Sequence, residues 1–562
     1  MSKLVEQSTA NLRTLIIEAI GKAITAGQLP REPIPDFTIE VPADRSHGDW
    51  AANVAMVSAK AFKLAPRKIA EAVASHIVLD NSYFKSCEIA GPGFLNFFLN
   101  EQFYVDVVKE VIAEGDNYGH SDFGQNKKVM IEFVSANPTG PMHMGNARGG
   151  ALGDCLAAVL EAAGYYTERE FYINDAGNQI NKFGLSLSLR YQQLYKDGIE
   201  MPEDSYHGND IIEHAKAFAK INGDKYINCD ETTRRNALVE FALPKNIQGL
   251  KDDLLKYRIK YDTWFCESTL HKNGETARII ELLKQSGYTY TMEGALWFKA
   301  TDFGCDKDFV LVRANGVPTY VVPDIAYHYN KLEVRKFDKA IDVLGADHHG
   351  YVPRLKAALT ALNVDATRLD AVLMQMVRLV RDGEVVKASK RSGKAITLVT
   401  LLDEVPIDAA RFFFNLREPN SHFDFDLDLA VSESNSNPVY YVQYAYARIC
   451  SILRNLAEDG VQKRNCTNAE LCLLTAPEER ELIIHLSSLT DEIISAAKTY
   501  DPARLTHYVN ELATKFHKFY AACRVKGDDE SLTQARLNLC YAAGIVIKNI
   551  LDMLKITAPE KM

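Results

Sequence analysis

Residues 131–149 read Ile-Glu-Phe-Val-Ser-Ala-Asn-Pro-Thr-Gly-Pro-Met-His-Met-Gly-Asn-Ala-Arg-Gly, and this stretch decides the fold. An apolar strand pattern that ends near Val134 runs into a Pro/Gly loop, and a helical pattern then continues to Leu160. The first N–H groups of a helix lack partners and the macrodipole is positive there, so this turn favours phosphate. Gly145 lets a ligand approach closely, and His143 can donate to a phosphate oxygen. Taken alone, His-x-Gly-Asn also fits a loop histidine that caps a helix.

A second stretch, residues 386–394, reads Val-Lys-Ala-Ser-Lys-Arg-Ser-Gly-Lys and carries four cations in nine residues. It follows a strand pattern and the turn Asp382-Gly383. Small residues between the lysines leave room for their ammonium groups to reach a polyphosphate. A solvated basic turn is the ordinary alternative for such a loop. Together, the two stretches predict two loops of one α/β region that are directed at the same phosphates.

The composition is that of an ordinary water-soluble protein. The chain has 562 residues, of which 47% are hydrophobic and 25% charged, and this length predicts about three or four domains. No run of about 18 uncharged apolar residues is present, and the opening segment has helical spacing rather than signal-peptide character. We therefore expect a cytoplasmic protein with no membrane partner. The formal charge of −10 argues against non-specific coating of nucleic acid, but a local basic face could still bind RNA.

The cysteines and histidines do not indicate a metal centre. Ten cysteines are scattered without a Cys-x-x-Cys pair, and the 14 histidines do not cluster with them at ligand spacing. We expect free thiols, mostly small core residues, and no structural metal.

Three regions differ in their patterns. Residues 1–115 combine an opening helix with strand patterns near 36–41 and 93–99, which predicts an α+β domain. Residues 116–430 alternate strands and helices, which favours a parallel sheet, and 190–300 read as a mostly helical insertion. Residues 431–562 show apolar spacing of three or four throughout, which predicts an all-helical bundle. Within the middle region the predicted strands are 128–134, 167–173, 308–313, 340–344 and 372–379.

The His143 segment resembles the HIGH motif of class I aminoacyl-tRNA synthetases, and residues 387–390 resemble their KMSK loop. The surrounding sequence is similar to the arginyl-tRNA synthetase family over essentially the whole chain. The segments that carry this similarity are 46–53, 91–97, 171–179, 261–268, 318–326, 344–350, 437–445 and 558–562. The resemblance implies a Rossmann-type catalytic domain, an N-terminal domain (1–115) that contacts the tRNA D-loop, and an anticodon-binding bundle (431–562).

The resemblance also implies which residues bind ATP, which would arrive as its Mg²⁺ complex. Catalytic roles fall to His143, Asn146, Lys387 and Lys390. The ATP site would comprise residues of the HIGH-like region from Ala136 to Asn146 and of the lysine loop, namely Pro138, Thr139, Gly140, His143, Gly145, Asn146, Lys387, Ser389 and Lys390. Ala388 stands where the family pattern has Met, which affects how firmly the loop closes over ATP rather than whether the chain is active.

A guanidinium group is planar, always charged and rich in donors, so an arginine pocket needs carboxylates and other acceptors in fixed positions. The resemblance assigns arginine binding to Glu132, Ser135, Asn137, Tyr320, Asp324, Asp347 and His348. Asp324 could instead cap a helix, and Tyr320 could be a core residue. Buried carboxylates would reject a neutral analogue such as citrulline by about 10⁴ or more, which would make an editing domain unnecessary.

The implied reaction is ATP-dependent activation of L-arginine to arginyl-adenylate, followed by transfer to the 2′-OH of the terminal adenosine of tRNA(Arg). The family resemblance implies that activation requires bound tRNA. RNA is usually read at unstacked bases through aromatic and polar contacts, and Tyr444 and Arg448 could make them in the bundle. Phe94 and Asn96 match D-loop-contacting positions. The chain has enough mass and domains for a self-sufficient monomer, which we expect.

Two other interpretations remain open at this stage. A different enzyme on the same fold, such as another class I synthetase or a small adenylyltransferase, would share His143 and the lysine loop. A catalytically dead tRNA-binding paralogue would need the loss of His143, Gly145 or the lysines, and these residues are all present.

Overall fold

The computed structural model describes residues 3–42, 44, 47–387 and 396–562. The amino-terminal region is an antiparallel sheet of order β1–β2–β4–β3 with helices packed against it. Its elements are α1 (Lys3–Thr25), β1 (Ile39–Glu40), β2 (Trp50–Ala52), α2 (Val54–Phe62), α3 (Pro66–His76), β3 (Phe84–Ala90), β4 (Phe94–Leu99) and α4 (Glu101–Glu114).

The middle region mixes strands and helices. Its elements are β5 (Lys128–Glu132), α5 (Gly145–Ala162), β6 (Tyr166–Ile173), α6 (Gly177–Gln192), α7 (Asn209–Asn222), α8 (Glu231–Lys256), β7 (Thr263–Cys266), α9 (Glu267–Lys272), α10 (Glu275–Gln285), β8 (Thr289–Met292), β9 (Ala295–Phe298), β10 (Phe309–Val312), α11 (Val321–Tyr329), β11 (Lys339–Gly345), α12 (Val352–Ala361), β12 (Leu369–Met374), β13 (Val377–Arg381), β14 (Glu384–Val385), α13 (Leu398–Glu404), α14 (Ile407–Phe414), β15 (Phe423–Asp426) and α15 (Leu427–Val431).

Five of these strands form an all-parallel sheet in the order β12–β11–β5–β6–β7. The chain starts this sheet at its centre with β5, builds outward to β7 on one side, and then returns to place β11 on the other side of β5. Ligands of open parallel sheets bind outside the carboxyl ends of the strands, at the point where the order reverses. That point lies between β5 and β11.

The carboxyl-terminal region is helical and packs on the first two regions. Its elements are α16 (Pro438–Glu458), α17 (Asn468–Leu471), α18 (Pro477–Ser487), α19 (Leu489–Thr499), α20 (Ala503–Ala522) and α21 (Glu530–Met553). One continuous apolar core joins residues from the amino-terminal sheet, β5 and the bundle. The α/β fold with an α+β amino-terminal part and an all-α bundle is therefore confirmed. No helix in the described ranges is long and apolar enough to cross a bilayer.

Two strand predictions and the predicted helical insertion need correction. The predicted strand 308–313 corresponds to β10, but it pairs in a separate sheet of order β10–β9–β8. The hairpin turn at Glu293-Gly294 has positive φ at both residues, which closes this antiparallel sheet by a two-residue loop. The predicted strand 372–379 is split between β12 and β13. The segment 190–300 is also less helical than expected, because β7 lies within it and forms one edge of the parallel sheet.

All ten cysteines lie in the described part of the chain and are free thiols, as predicted. Only Cys155, Cys523 and Cys540 are buried, so the expectation that most of the cysteines are core residues is wrong.

Candidate active site

The turn after β5 is strained and held by a serine. Val134 and Ser135 both have positive φ, 69° and 41°, a conformation that residues with a side chain rarely adopt. Ser135 Oγ donates to Glu132 Oε1 at 2.9 Å and accepts from the backbone N–H of Tyr172 at 3.1 Å. These two hydrogen bonds fix the chain as it leaves the sheet, so the loop starts in a defined direction.

The predicted ATP segment from Ala136 to Asn146 begins on the core side of this loop. Ala136 is half-buried and packs against the main apolar core. A methyl side chain also offers no hydrogen bond to a phosphate. The structure therefore gives Ala136 a packing role where the sequence grouped it with the ATP-binding residues, and any contact with ATP through its backbone stays a prediction.

His143 presents one ring nitrogen outward at the start of α5. The N–H of Gly145 donates to His143 Nδ1 at 3.1 Å, so a neutral ring carries its proton on Nε2 and can donate it. The N–H groups of Asn146 and Ala147 donate to the carbonyls of His143 and Met144, both at 2.9 Å. The expected row of free N–H groups is therefore wrong for residues 145–147, because the turn before the helix supplies acceptors for them.

The His143 loop pairs with the described residues that follow the lysine-rich segment. His143 pairs in an antiparallel bridge with Thr397, which lies just after the lysine-rich segment. Met144 N–H donates to the carbonyl of Ile396 at 3.1 Å, and Leu398 N–H donates to that of Met142 at 3.0 Å. On the other side, Lys387 is exposed after β14. Ala388, Ser389 and Lys390 lie outside the described residues.

The other predicted ATP residues lie between β5 and α5. Pro138 and Thr139 are buried, and the Pro138 carbonyl accepts from Asn246 Nδ2 of α8 at 3.0 Å. A Cβ added at Gly140 would meet only Asp210 Oδ2, at 3.6 Å. Helix α8 of the helical insertion thus contacts this loop and supports it.

A cavity of about 180 Å³ opens beside this loop, at the carboxyl ends of β5 and β11. Four of the seven residues predicted to bind arginine line it, namely Glu132, Ser135, Asp324 and His348. The remaining lining residues are Tyr172, Tyr327, His328, Asp342, Leu344, Tyr351, Val352, Leu355, Leu369 and Ala371. The cavity combines carboxylates with aromatic and aliphatic walls, which suits an elongated cation with an apolar stem.

Asp324 is the carboxylate with the least compensation. It accepts a hydrogen bond from the hydroxyl of Tyr351, and its backbone carbonyl contacts His328 Nδ1 at 2.7 Å. Burial raises the pKa of Asp324 to about 6, while Tyr351 and His328 oppose the rise and Glu132 and Glu267 add to it. A cationic ligand at this carboxylate would relieve the cost of its buried charge.

Glu132, His328 and Asp342 form a set with the spacing of metal ligands, their ligand atoms lying within 4.8 Å of one another. The ammonium of Lys331 already contacts all three. Its Nζ lies 2.6 Å from Glu132 Oε2, 2.8 Å from Asp342 Oδ1 and 3.3 Å from His328 Nε2. A protein cation thus takes the position that a metal ion would need.

Three predicted arginine-binding residues lie outside the cavity wall. Asn137 is exposed in the loop after β5. Tyr320 is 71% exposed and stacks on Tyr351 with ring centroids 6.1 Å apart. Asp347 is exposed and its Oδ1 lies 3.2 Å from His348 Nδ1. Tyr320 and Asp347 are therefore near lining residues at the rim, and their roles stay predictions.

The predicted tRNA contacts of the bundle converge on one arginine. Arg448 NH2 donates to Tyr444 Oη at 2.5 Å, and its guanidinium lies 4.7 Å from the Tyr444 ring and 5.3 Å from the Tyr520 ring. Two open clefts of about 630 and 410 Å³ meet at Tyr444 and Arg448. Burial, with Arg448 nearby, lowers the pKa of His517 to about 4, so this ring stays neutral beside the guanidinium.

The residues of the amino-terminal sheet that were predicted to contact tRNA are less accessible than those of the bundle. Phe94 is half-buried at the start of β4, and Asn96 is only 5% exposed on the same strand.

Several lining residues were missed from the sequence. His328 lies one turn after Asp324 on α11, and that spacing could have indicated a shared face. Asp342 interrupts the apolar strand β11, and a charge in a buried strand is itself a signal. Lys331, which contacts two of the lining acids without lining the cavity itself, gave no such signal, because the wide turn at Asn330–Val334 that directs it inward is not visible in the sequence.

An all-parallel sheet of this order, with a histidine loop at its carboxyl edge that pairs with residues 396–398, has the arrangement of the class I aminoacyl-tRNA synthetases. Residues 107–434 match the family described as tRNA synthetases class I (R), catalytic domain. Residues 10–99 match the Arginyl tRNA synthetase N terminal domain, and 442–562 match the DALR anticodon binding domain. The chain belongs to the arginyl-tRNA synthetase family, and it is therefore an aminoacyl-tRNA ligase.

Individual relatives are similar to this chain over its full length. The chain is 53% identical over 564 residues to arginine–tRNA ligase of Acetivibrio thermocellus, covering 100% of each. It is also 53% identical to that of Caldanaerobacter subterraneus subsp. tengcongensis, again over 100% of each. The arginyl-tRNA synthetase of Thermus thermophilus has the same fold, with a TM-score of 0.74 at 22% identity over 97% of this chain and 99% of that one.

Proposed function

We propose that the chain attaches L-arginine to tRNA(Arg) with ATP–Mg²⁺ as co-substrate, and that the described cavity is the arginine site. The observation that carries this proposal is the pairing of the His143 loop with residues 396–398, beside a cavity that holds Asp324. The cavity would accommodate a cationic amino acid, and the His143 loop, together with the lysines that precede residue 396 in the sequence, would bind a triphosphate next to it.

Arginine would lie with its guanidinium at Asp324 and its stem between Tyr172 and the aliphatic wall. Asn137, Tyr320, Asp347 and His348 would close the open side around the amino-acid backbone groups. The arginine carboxylate would attack the α-phosphate of ATP and release pyrophosphate. Transfer of the arginyl group to the 2′-OH of the terminal adenosine would then release AMP.

No protein nucleophile is needed for these steps, so the protein contributes positioning and electrostatic stabilisation. His143 Nε2 would donate to the phosphates, with Asn146 and Gly145 shaping the helix end. Lys387 and Lys390 would neutralise the pyrophosphate, and Ser389 would line the same loop. Pro138, Thr139 and Gly140 would form the backbone wall of the ATP site.

The outer regions would hold the tRNA. We assign D-loop contacts to the amino-terminal domain (1–115), with Phe94 as the accessible residue and Asn96 behind it. Anticodon contacts would lie in the bundle (431–562), where bases can stack on Tyr444 and pair with Arg448. We expect a cytoplasmic monomer.

The test is a charging assay with purified protein, ATP–Mg²⁺, total tRNA and each amino acid in turn. Charging with arginine alone supports the proposal, and charging with a different amino acid contradicts it. Binding of tRNA without any charging would favour a catalytically dead paralogue. ATP–pyrophosphate exchange with arginine should occur only when tRNA is present, and robust exchange without tRNA would contradict that requirement.

A further inference from the structure

A row of three carboxylates crosses the centre of the parallel sheet. Glu132 of β5 is opposite Glu170 of β6 on one side and Asp342 of β11 on the other. All three residues are buried, with 0–8% exposed. Side chains at paired positions point to the same face, and like charges directly opposite each other destabilise a sheet. The row therefore requires cations from elsewhere in the chain.

The cations come from one segment, the wide turn Asn330–Val334 and the residue after it. Lys331 is fully buried and bonds Glu132 and Asp342 at 2.6 and 2.8 Å. Arg335 NH1 lies 2.5 Å from Glu170 Oε2. Burial alone would lower the pKa of Lys331, but the neighbouring Asp342, Glu132 and Glu170 outweigh it and raise that pKa, so the ammonium stays charged.

The carboxylates that line the cavity differ in their hydrogen-bond and ion-pair partners. Both oxygens of Glu132 are engaged, by Ser135 and Lys331, and both of Asp342 are engaged, by His328 and Lys331. In the described part of the chain, the Asp324 carboxylate accepts a hydrogen bond from the neutral hydroxyl of Tyr351, and no Lys or Arg forms an ion pair with it. The cavity therefore offers one uncompensated carboxylate to a ligand.

We propose that Lys331 is a positioning and specificity-determining residue of the arginine site. It fixes Glu132 in the cavity wall and compensates Glu132 and Asp342, so that a single guanidinium meets a single free carboxylate at Asp324. This inference rests on the proposed function, because it assumes that arginine occupies the cavity.

The first test variant is Lys331→Met, which removes the ammonium and keeps a chain of similar length. Without the ammonium, the carboxylates of Glu132 and Asp342 face each other without a lysine between them, and Glu132 loses the contact that fixes its position. We expect the arginine KM to rise about tenfold or more, while kcat and the ATP KM stay within about twofold. The matched control is Lys339→Met, whose ammonium pairs with Asp370 at 2.6 Å at the opposite end of β11. This control should keep the arginine KM of the parent protein.

The second variant, Lys331→Met with Asp342→Asn, also removes the competing carboxylate. Its arginine KM should return to within about threefold of that of Asp342→Asn alone, since Glu132 then keeps the Ser135 hydrogen bond, no longer faces Asp342, and lies opposite a Glu170 that Arg335 already neutralises. If Lys331→Met does not fold, the comparison of the double variant with Asp342→Asn tests the proposal. An arginine KM of the double variant more than about threefold above that of Asp342→Asn contradicts it.

Two results would overturn the inference. One is an unchanged arginine KM in Lys331→Met. The other is a similar impairment of all three parameters, with a higher arginine KM, a higher ATP KM and a lower kcat, that the second substitution does not reverse. That is the behaviour of a purely structural residue. Failure of the parent protein to charge arginine would instead refute the proposed function.

Discussion

At the scale of single residues, the cavity distinguishes acids that look alike in the sequence. Glu132, Asp324 and Asp342 all line it, yet only Asp324 lacks a cationic partner among the described residues. Burial raises its pKa to about 6, whereas Lys331 and His328 outweigh burial and hold the pKa of Asp342 well below its usual range. Charge compensation, rather than residue type, thus selects the carboxylate available to a substrate.

The first prediction concerns Asp324. We expect Asp324→Asn to raise the arginine KM by about 10²-fold or more, because a buried guanidinium would lose its ionic partner. Steady-state charging kinetics at varied arginine measure this. The control is Asp302→Asn, an exposed aspartate outside the cavity wall, and a comparable rise in the control would contradict the assignment.

The second prediction is the pH dependence of arginine use. The raised pKa means that the Asp324 carboxyl takes up a proton as pH falls through about 6, with Tyr351, His328, Glu132 and Glu267 as the groups that face it. Arginine stays cationic throughout, so kcat/KM for arginine should fall about tenfold per pH unit below pH 6. The variant Asp324→Asn should not show this fall in kcat/KM below pH 6. If the fall persists in the variant, the ionisation belongs to another group.

The third prediction concerns His143. Replacing it by alanine removes the Nε2 donor and should lower kcat by about 10²–10³. The variant His120→Ala, at an exposed loop histidine, serves as the control. Near-normal charging by His143→Ala would remove this residue from the ATP site.

At the scale of elements, much of the architecture was predictable because hydrophobic periodicity and turn-forming Gly and Pro residues are local properties of the sequence. The strand β5, the Pro/Gly loop and the start of α5 at Gly145 were predicted from one stretch. Pairing partners are not local, so β10 and β13 were assigned to the wrong sheet. The wide turn that buries Lys331 depends on packing against β5 and β11, and no spacing rule reveals it. Much of the cavity wall was missed for the same reason, since it comes from several elements brought together by the sheet order.

The fourth prediction concerns how α5 packs on β5. A Cβ at Gly153 would lie 2.2 Å from Phe133 Cγ, so Gly153→Ala should lower the free energy of unfolding by about 1–3 kcal/mol. The matched control is Gly249→Ala in the interior of α8, where a Cβ meets nothing within 4 Å. That change should stabilise by about 0.5–1 kcal/mol. Urea unfolding compares the two, and equal effects would contradict this packing.

At the scale of the whole molecule, a buried arginine connects the catalytic sheet with the bundle. Arg411 is fully buried and donates to Asp154 Oδ2 of α5 at 2.6 Å, to the Tyr257 carbonyl at 3.0 Å and to the Leu554 carbonyl at the end of α21 at 2.7 Å. Helix α5, which begins beside His143, and helix α21, which ends the bundle, are therefore connected through one side chain.

The fifth prediction follows from this connection. The variant Arg411→Met leaves buried acceptors unpaired and should lower stability by about 3–5 kcal/mol. The exposed ion pair Arg378–Asp424 provides the control, since Arg378→Met should cost less than about 1 kcal/mol. Thermal unfolding measures both, and an equal shift in the two variants would show that Arg411 does not join the regions.

The account depends on the His143 loop and the lysine-rich loop sharing one ATP triphosphate. The most direct measurement is a crystal structure of the protein with tRNA, arginine and a non-hydrolysable ATP analogue. We predict phosphate oxygens within hydrogen-bonding distance of both His143 Nε2 and Lys387 or Lys390 Nζ, with the arginine guanidinium at Asp324. An analogue bound elsewhere, or phosphates that contact only one of the two loops, would contradict the account.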